Sequence, residues 1–235
     1  MNPRRVVLDE VSRAYGRHFV LHRITTEFSA PSVSAVIGDN GAGKSTLLQI
    51  LATIDEPTSG TVHFDDQTAA AFARRRRHRI GWVGHQPMVY DELTARENLH
   101  FFGAMYGLSD APRRAQGWLQ RMGLEHAADR PVRAFSRGMK QRLTLARSLL
   151  HGPQLVLLDE PSTGLDRAGR ALLRELLTEL RERDRLVILV THDLTLAHHV
   201  ADRTLLFRRG KIAADLDRSS TQDLPVVYDR LASEA

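Results

Sequence analysis

Apolar positions in the first forty residues fall into short alternating or β-branched runs. "VVLDEV" from Val6, "RITTEF" from Arg23 and "SVSAVIG" from Ser32 are predicted strands, the last ending on Gly38. The period then changes. "KSTLLQILATI" places Leu47, Leu48 and Leu51 at helical spacing, "EPTSG" from Glu56 to Gly60 is a turn cluster, and "TVHF" is a further strand. From Ala69 to Leu150 helical patterns dominate, with breaks expected near Pro87, Pro112 and Pro131. Strand signals return in "QLVLLDEP" and "RLVILVTHD", which are apolar without alternation, as strands buried on both faces are. Between them "AGRALLRELLTELRER" gathers Leu172, Leu173, Leu176, Leu177 and Leu180 on one helix face. "TLLF", "GKIAADL" and a polar tail follow. The pattern predicts an α/β core built from both ends of the chain, with a largely parallel sheet and an inserted helical segment.

Composition narrows this picture. The 235 residues suffice for one large domain or a domain with a smaller lobe, and 42% hydrophobic with 26% charged residues is ordinary for a globular protein. Without cysteine there are no disulfides, thiolate metal sites or cysteine nucleophiles. No secretory signal is visible in "MNPRRVVLDEVSRAY", and no apolar run reaches the roughly 18 residues a membrane span needs. The net charge of +5 is carried mainly by arginine, since Lys44, Lys140 and Lys211 are the only lysines. The basic run Arg74–Arg79 has two readings, contact with anionic lipid or nucleic acid, and a solvated helix face.

The chemistry begins in "VIGDNGAGKSTLL". Gly38, Gly43, Lys44 and Ser45 match the spacing of a phosphate-binding loop, set between a strand and a helix as that loop requires. Its glycines let successive backbone N–H groups converge on phosphate oxygens, and the helix N-terminus adds its dipole. Gly38, Asp39, Asn40, Gly41, Ala42, Gly43, Lys44, Ser45 and Thr46 therefore form the candidate nucleotide cradle. Lys44 is expected to reach the β- and γ-phosphates and Ser45 to ligate Mg²⁺. "LVLLDEP" aims Asp159 and Glu160 out of the C-terminal end of a buried strand, Asp159 for Mg²⁺ and Glu160 for the attacking water.

With those residues in place, the chain resembles the nucleotide-binding subunits of ATP-binding-cassette (ABC) transporters from about Val6 to Leu216. "FSRGMKQRLTLARSLL" resembles the family signature, "PSTGLD" its D-loop, "VTHD" its switch histidine and "VGHQP" its Q-loop. The resemblance implies a P-loop NTPase core at 1–86 and 151–217 with an N-terminal antiparallel β subdomain. It also implies a helical subdomain at 87–150 and a short tail at 218–235. It implies ATP and Mg²⁺ as cofactors, and catalytic roles for Lys44, Gln86, Glu160 and His192. Gln86 would also reach the metal, beside Ser45 and Asp159. Tyr15 falls where the family carries an adenine-stacking aromatic, and a partly buried core tyrosine is the competing reading. A cap on the following helix competes for His192, and a helix N-cap competes for Asp166 as a contact to the opposite subunit.

Ser136 and Gly138, at the start of the signature helix, would supply a second anion site that closes over ATP bound to another subunit. Arg137 and Met139 depart from the common signature, where a small residue and a glutamine stand. Arg137 either adds a cation near the partner's phosphate or points to solvent. The form "SRGMKQ" with "STGLD" looks like exporter-type subunits. "GWVGHQPMVYDELTARENLHFF" is similar to haem-exporting members that serve cytochrome c maturation, and drug-, lipid- and polysaccharide-exporting relatives share much of it. Met88, Val89 and Tyr90 either line a groove for a helix of a membrane partner or pack against Phe101 and Phe102. The expected partners are an integral membrane permease and a second cassette. The location expected from the resemblance is the cytoplasmic face of the membrane, reached through the permease. No nucleic-acid partner is expected, although some family members act on DNA or ribosomes.

Overall fold

The computed structural model describes residues 3–219, 224 and 226–228. Its elements run β1 (Arg5–Tyr15), β2 (His18–Ser29), β3 (Ser32–Gly38), α1 (Lys44–Leu51), β4 (Ser59–Phe64), β5 (Gln67–Thr68), α2 (Ala69–Arg76) and β6 (Ile80–Val83). Then come α3 (Ala95–Met105), α4 (Ala111–Arg121), α5 (Arg137–Leu149), β7 (Leu155–Asp159), α6 (Arg167–Glu182), β8 (Leu186–Val190), α7 (Leu194–Val200), β9 (Arg203–Arg208) and β10 (Lys211–Asp217).

The strands form two sheets. A four-stranded sheet has the order β2-β1-β4-β5, all antiparallel. A six-stranded sheet has the order β10-β9-β3-β8-β7-β6, parallel from β9 to β6 with β10 antiparallel at one edge. This is an α/β P-loop NTPase fold with an antiparallel β subdomain at its N-terminal end.

The continuously apolar runs have a direct structural cause. Successive residues of a strand face opposite sides of the sheet. In β7, Leu155 and Leu157 enter the core shared with α1 and the antiparallel sheet, while Val156 and Leu158 enter the core shared with α3, α5 and α6. In β8, Leu186, Ile188 and Val190 divide from Val187 and Leu189 in the same way. Both faces are covered, so no position alternates to polar. Each fully buried Leu or Val contributes about 1.5–3 kcal/mol.

One expectation is corrected. Residues 80–83 lie in a stretch read as helical, yet they form β6, paired to β7 from Ile80 opposite Leu155 to Val83 opposite Leu158. The break expected near Pro112 is present: α3 ends at Met105, and Pro112 stands in the first turn of α4, where a missing N–H costs nothing and φ is already set. Of the basic run, Arg77 reaches back to close the end of α1, donating to the Thr53 carbonyl at 2.6 Å and to Thr53 Oγ1 at 3.0 Å. Most of the tail expected at 218–235 lies outside the described residues; Leu224 is fully buried against Ala35, Ile37, Ala197, Ala201 and Leu206.

Candidate functional site

At the C-terminal edge of the parallel strands a cavity of about 670 Å³ opens, lined by the loop between β3 and α1 together with Val20, His85, Asp159, Glu160, Thr163, Val190, His192 and Tyr228. The loop's shape follows from its glycines. Gly38 has φ 156°, and a Cβ there would lie 2.1 Å from the Phe207 carbonyl oxygen. Gly43 has φ 98°, and its Cβ would lie 2.6 Å from the Val20 carbonyl. No side chain caps α1 at Gly43 and no acidic residue stands in its first turn, so its leading N–H groups and positive dipole end face the cavity.

Lys44 is buried and donates to the carbonyls of Gly38 at 2.6 Å and Asp39 at 2.8 Å. Burial pulls its pKa below the ordinary lysine value, while the charges of Glu160, Asp159 and Asp39 oppose that shift. Asp159 ends β7 and is also buried. Burial pushes its carboxyl above the usual range; the Ser45 hydroxyl, which hydrogen-bonds to it, works against the shift, and the neighbouring Glu160 charge adds to it. A buried carboxylate next to a hydroxyl, at the mouth of an anion cradle, fits a hard divalent cation, which prefers oxygen donors.

Glu160 leaves β7 in a left-handed conformation, φ 50°, that a non-glycine residue seldom adopts. Its N–H donates to the Val190 carbonyl, which turns the side chain into the cavity. There its Oε2 lies 2.8 Å from His192 Nδ1 and 3.4 Å from the His192 backbone nitrogen. The cap of α7 is Asp193, whose Oδ1 accepts from Leu196 N at 2.9 Å, so the histidine is left to the carboxylate.

The remaining expected residues divide. Tyr15 and Gln86 are exposed and do not line the cavity. The Tyr15 hydroxyl donates to Asp55 Oδ2 at 2.6 Å, and the Arg13 guanidinium covers one ring face at 4.6 Å. Asp166 caps α6 by accepting from Gly169 N at 2.7 Å. Ser136 caps α5, and Gly138 sits in the first turn, where a Cβ would meet the Gly164 carbonyl at 2.8 Å. Arg137 is exposed, with its aliphatic stem beside Gly164: a Cβ there would stand 2.7 Å from Arg137 Cγ. The Gln141 amide donates to the Pro161 carbonyl at 3.1 Å and ties α5 to the turn after Glu160.

His85, Thr163, Val20 and Tyr228 line the cavity and were not singled out from the sequence. His85 adjoins Gln86, and of the two it is His85 that lines the cavity. Met88, Tyr90, Phe101 and Met105 are among the large apolar side chains that stay exposed, with Tyr90 edge-on to Phe101. No helix among the described residues is long and apolar enough to cross a membrane.

Comparison with known proteins bears on all of this. A family model described as ABC transporter matches residues 21–163. The lantibiotic transport ATP-binding protein SrtF of Streptococcus pyogenes is 32% identical over 222 residues, 94% of this chain and 95% of that protein. Nod factor export ATP-binding protein I of Sinorhizobium fredii is 36% identical over 208 residues, 88% of this chain and 61% of that protein. A solved structure of the ATP-binding subunit of an ABC transporter superposes with a TM-score of 0.86 at 28% identity, covering 97% of this chain and 98% of that one. The dimeric cassette MJ0796 in a post-hydrolysis state with ADP and Pi superposes with a TM-score of 0.82 at 26% identity, covering 91% and 98%.

Proposed function

The chain belongs to the ABC transporter family, as an exporter-type ATP-binding subunit that hydrolyses ATP, and on that premise we propose how its residues do so and what they drive. The observation that carries the reading is the contact between Glu160 and His192 at 2.8 Å, in the same cavity as the Lys44 loop. The loop N–H groups and α1 would hold the triphosphate. Lys44 would give up its two carbonyl acceptors for the β- and γ-phosphates. Glu160 would orient the attacking water and take its proton, while His192 would fix the carboxylate and face the γ-phosphate. Asp159 and Ser45 would hold Mg²⁺, which would supply positive charge against the phosphate oxygens. Gln86, exposed beside His85, would join the metal and the water only if the Q-loop moves inward, and Tyr15 would stack on adenine by its uncovered face.

The working unit proposed is a pair of cassettes, each presenting Ser136, Gly138 and Asp166 to ATP on the other, seated beneath an integral membrane permease on its cytoplasmic side. The exposed Met88, Tyr90, Phe101 and Met105 support a permease contact near the Q-loop. For cargo, "GHQPMVYDELTARENL" supports haem export of the cytochrome c maturation kind. The names of the relatives favour a second reading, a lantibiotic or Nod-factor type of cargo.

The test is affinity purification of the tagged chain from detergent-solubilised native membranes, with ATPase assayed on what is recovered. A polytopic partner that stimulates turnover is expected, and its cargo assay in vesicles decides between haem and the alternatives. Recovery of ribosomes or nucleic acid, with turnover stimulated by them, would sink the transport reading and leave the ATPase.

A further inference from the structure

The loop that would hold a polyanion carries a carboxylate of its own. Asp39 is exposed and lines the cavity beside Lys44 and Ser45. A negative charge there opposes an incoming triphosphate unless something holds or screens it. The structure supplies a partner from the far end of the chain, since the Tyr228 hydroxyl donates to Asp39 Oδ1 at 3.1 Å.

Tyr228 does more than touch the loop. It lines the nucleotide cavity, and it also closes a small cleft against Gly38, Leu206, Phe207 and Ala213. Residues 224 and 226–228 are helical, so Leu224, Val227 and Tyr228 share one face. Leu224 is fully buried, and Val227 and Tyr228 pack against the same cluster. Two members of that cluster, Ala35 and Ile37, lie on β3, the strand that runs into the phosphate loop. The residues that anchor this stretch therefore pack on the strand leading into the loop, and the Tyr228 hydroxyl reaches the loop itself.

We propose that Tyr228 is a positioning residue of the ATPase site: its hydroxyl holds the Asp39 carboxylate and so sets the loop's affinity for the nucleoside triphosphate. The inference rests on reading this loop as the ATP cradle. A hydrogen bond to the carboxylate screens part of its charge and fixes its direction, which leaves the loop N–H groups aimed at phosphate. Tyr228 touches no reacting atom, so its effect falls on binding, common to ground and transition states, and appears in KM with kcat unchanged.

The experiment is a cycle of Tyr228→Phe, Asp39→Ala and the double variant in the full chain, with MgATP binding and steady-state ATPase measured together. Phenylalanine keeps the ring and its packing, so Tm should fall by no more than the roughly 2–4 °C that one net hydrogen bond is worth. Tyr228→Phe is expected to raise KM and the MgATP Kd roughly threefold to tenfold, the worth of one net hydrogen bond, with kcat unchanged. In the Asp39→Ala background the same substitution should have no further effect. An unchanged KM in Tyr228→Phe, or an equal change in both backgrounds, overturns the proposal. Lys44→Ala separates the two layers. If it leaves MgATP binding intact, the cradle reading itself fails; if it abolishes binding while Tyr228→Phe is silent, only the role of Tyr228 fails.

Discussion

Replacing Glu160 by glutamine separates what this side chain does for folding from what it does for chemistry. The substitution keeps the volume, and the backbone at φ 50° strains either residue alike. An amide oxygen can still accept from the His192 N–H. What disappears is a charge able to take a proton and to pair with the His192 ring. That ring is 76% exposed, so the pair contributes under about 1 kcal/mol to stability. Loss of the charge also eases the ionisation of Asp159, which Glu160 pushes up, and weakens the support Glu160 gives to the Lys44 cation. These two effects oppose each other, so Tm should stay within about 3 °C of wild type, the equivalent of roughly 1 kcal/mol in a chain of this size. General-base catalysis, by contrast, is worth about 10²–10⁴-fold, or roughly 2.7–5.5 kcal/mol at about 1.36 kcal/mol per decade. Steady-state ATPase should therefore fall at least about 100-fold while MgATP still binds. Size-exclusion chromatography with MgATP should show dimers accumulating. A folded Glu160→Gln protein with kcat within about fivefold of wild type would refute the assignment, since a single positioned base is worth far more than that.

Two further outcomes follow from burial. Burial holds Asp159 above its ordinary range, so its favourable contribution is fully present below the unfolded value of 3.8 and is lost as pH rises through the folded one. Asp159→Asn should raise the Tm of the nucleotide-free chain at pH 7, with the gap closing as pH falls towards 4; a lower Tm at pH 7 would contradict this. His151, stacked on Tyr106 at 3.9 Å and bonded to the Ile80 carbonyl at 3.2 Å, is pushed by burial from 6.5 down to about 4. It stays neutral in the folded chain while the unfolded chain protonates it, so stability present above pH 6.5 is lost as pH falls towards 4. Urea titrations should show about 3 kcal/mol lost across that window and a shallower slope in His151→Phe; parallel pH profiles would exclude His151 as the cause.

Features carried by consecutive residues were legible in the sequence. The glycine loop, the apolar runs of β7 and β8 and the leucine face of α6 each depend on local spacing, and the structure keeps them, although Leu172 is only partly buried. β6 was not legible because its four residues become a strand only by pairing with β7, more than seventy positions away. The break near Pro112 was legible, because a proline in the first turn marks where a new helix opens. Within the site, Lys44, Ser45, Asp159, Glu160 and His192 meet at one sheet edge as their strand positions imply. His85 and Tyr228 carry no local signal. One is selected by which side of a bend faces inward, the other by burial of Leu224 four residues earlier.

The close approach of Gly138 to the Gly164 carbonyl has a mechanical meaning. With Gln141 bonded to Pro161, the N-terminal part of α5 is tied by one hydrogen bond and one close backbone approach to the segment that leaves Glu160. Gly138 cannot acquire a side chain without prising the two segments apart. The arrangement is a clevis joint: it transmits a push along the chain and has little play in which to absorb it. Movement of the segment that follows Glu160 would carry the tip of α5 with it.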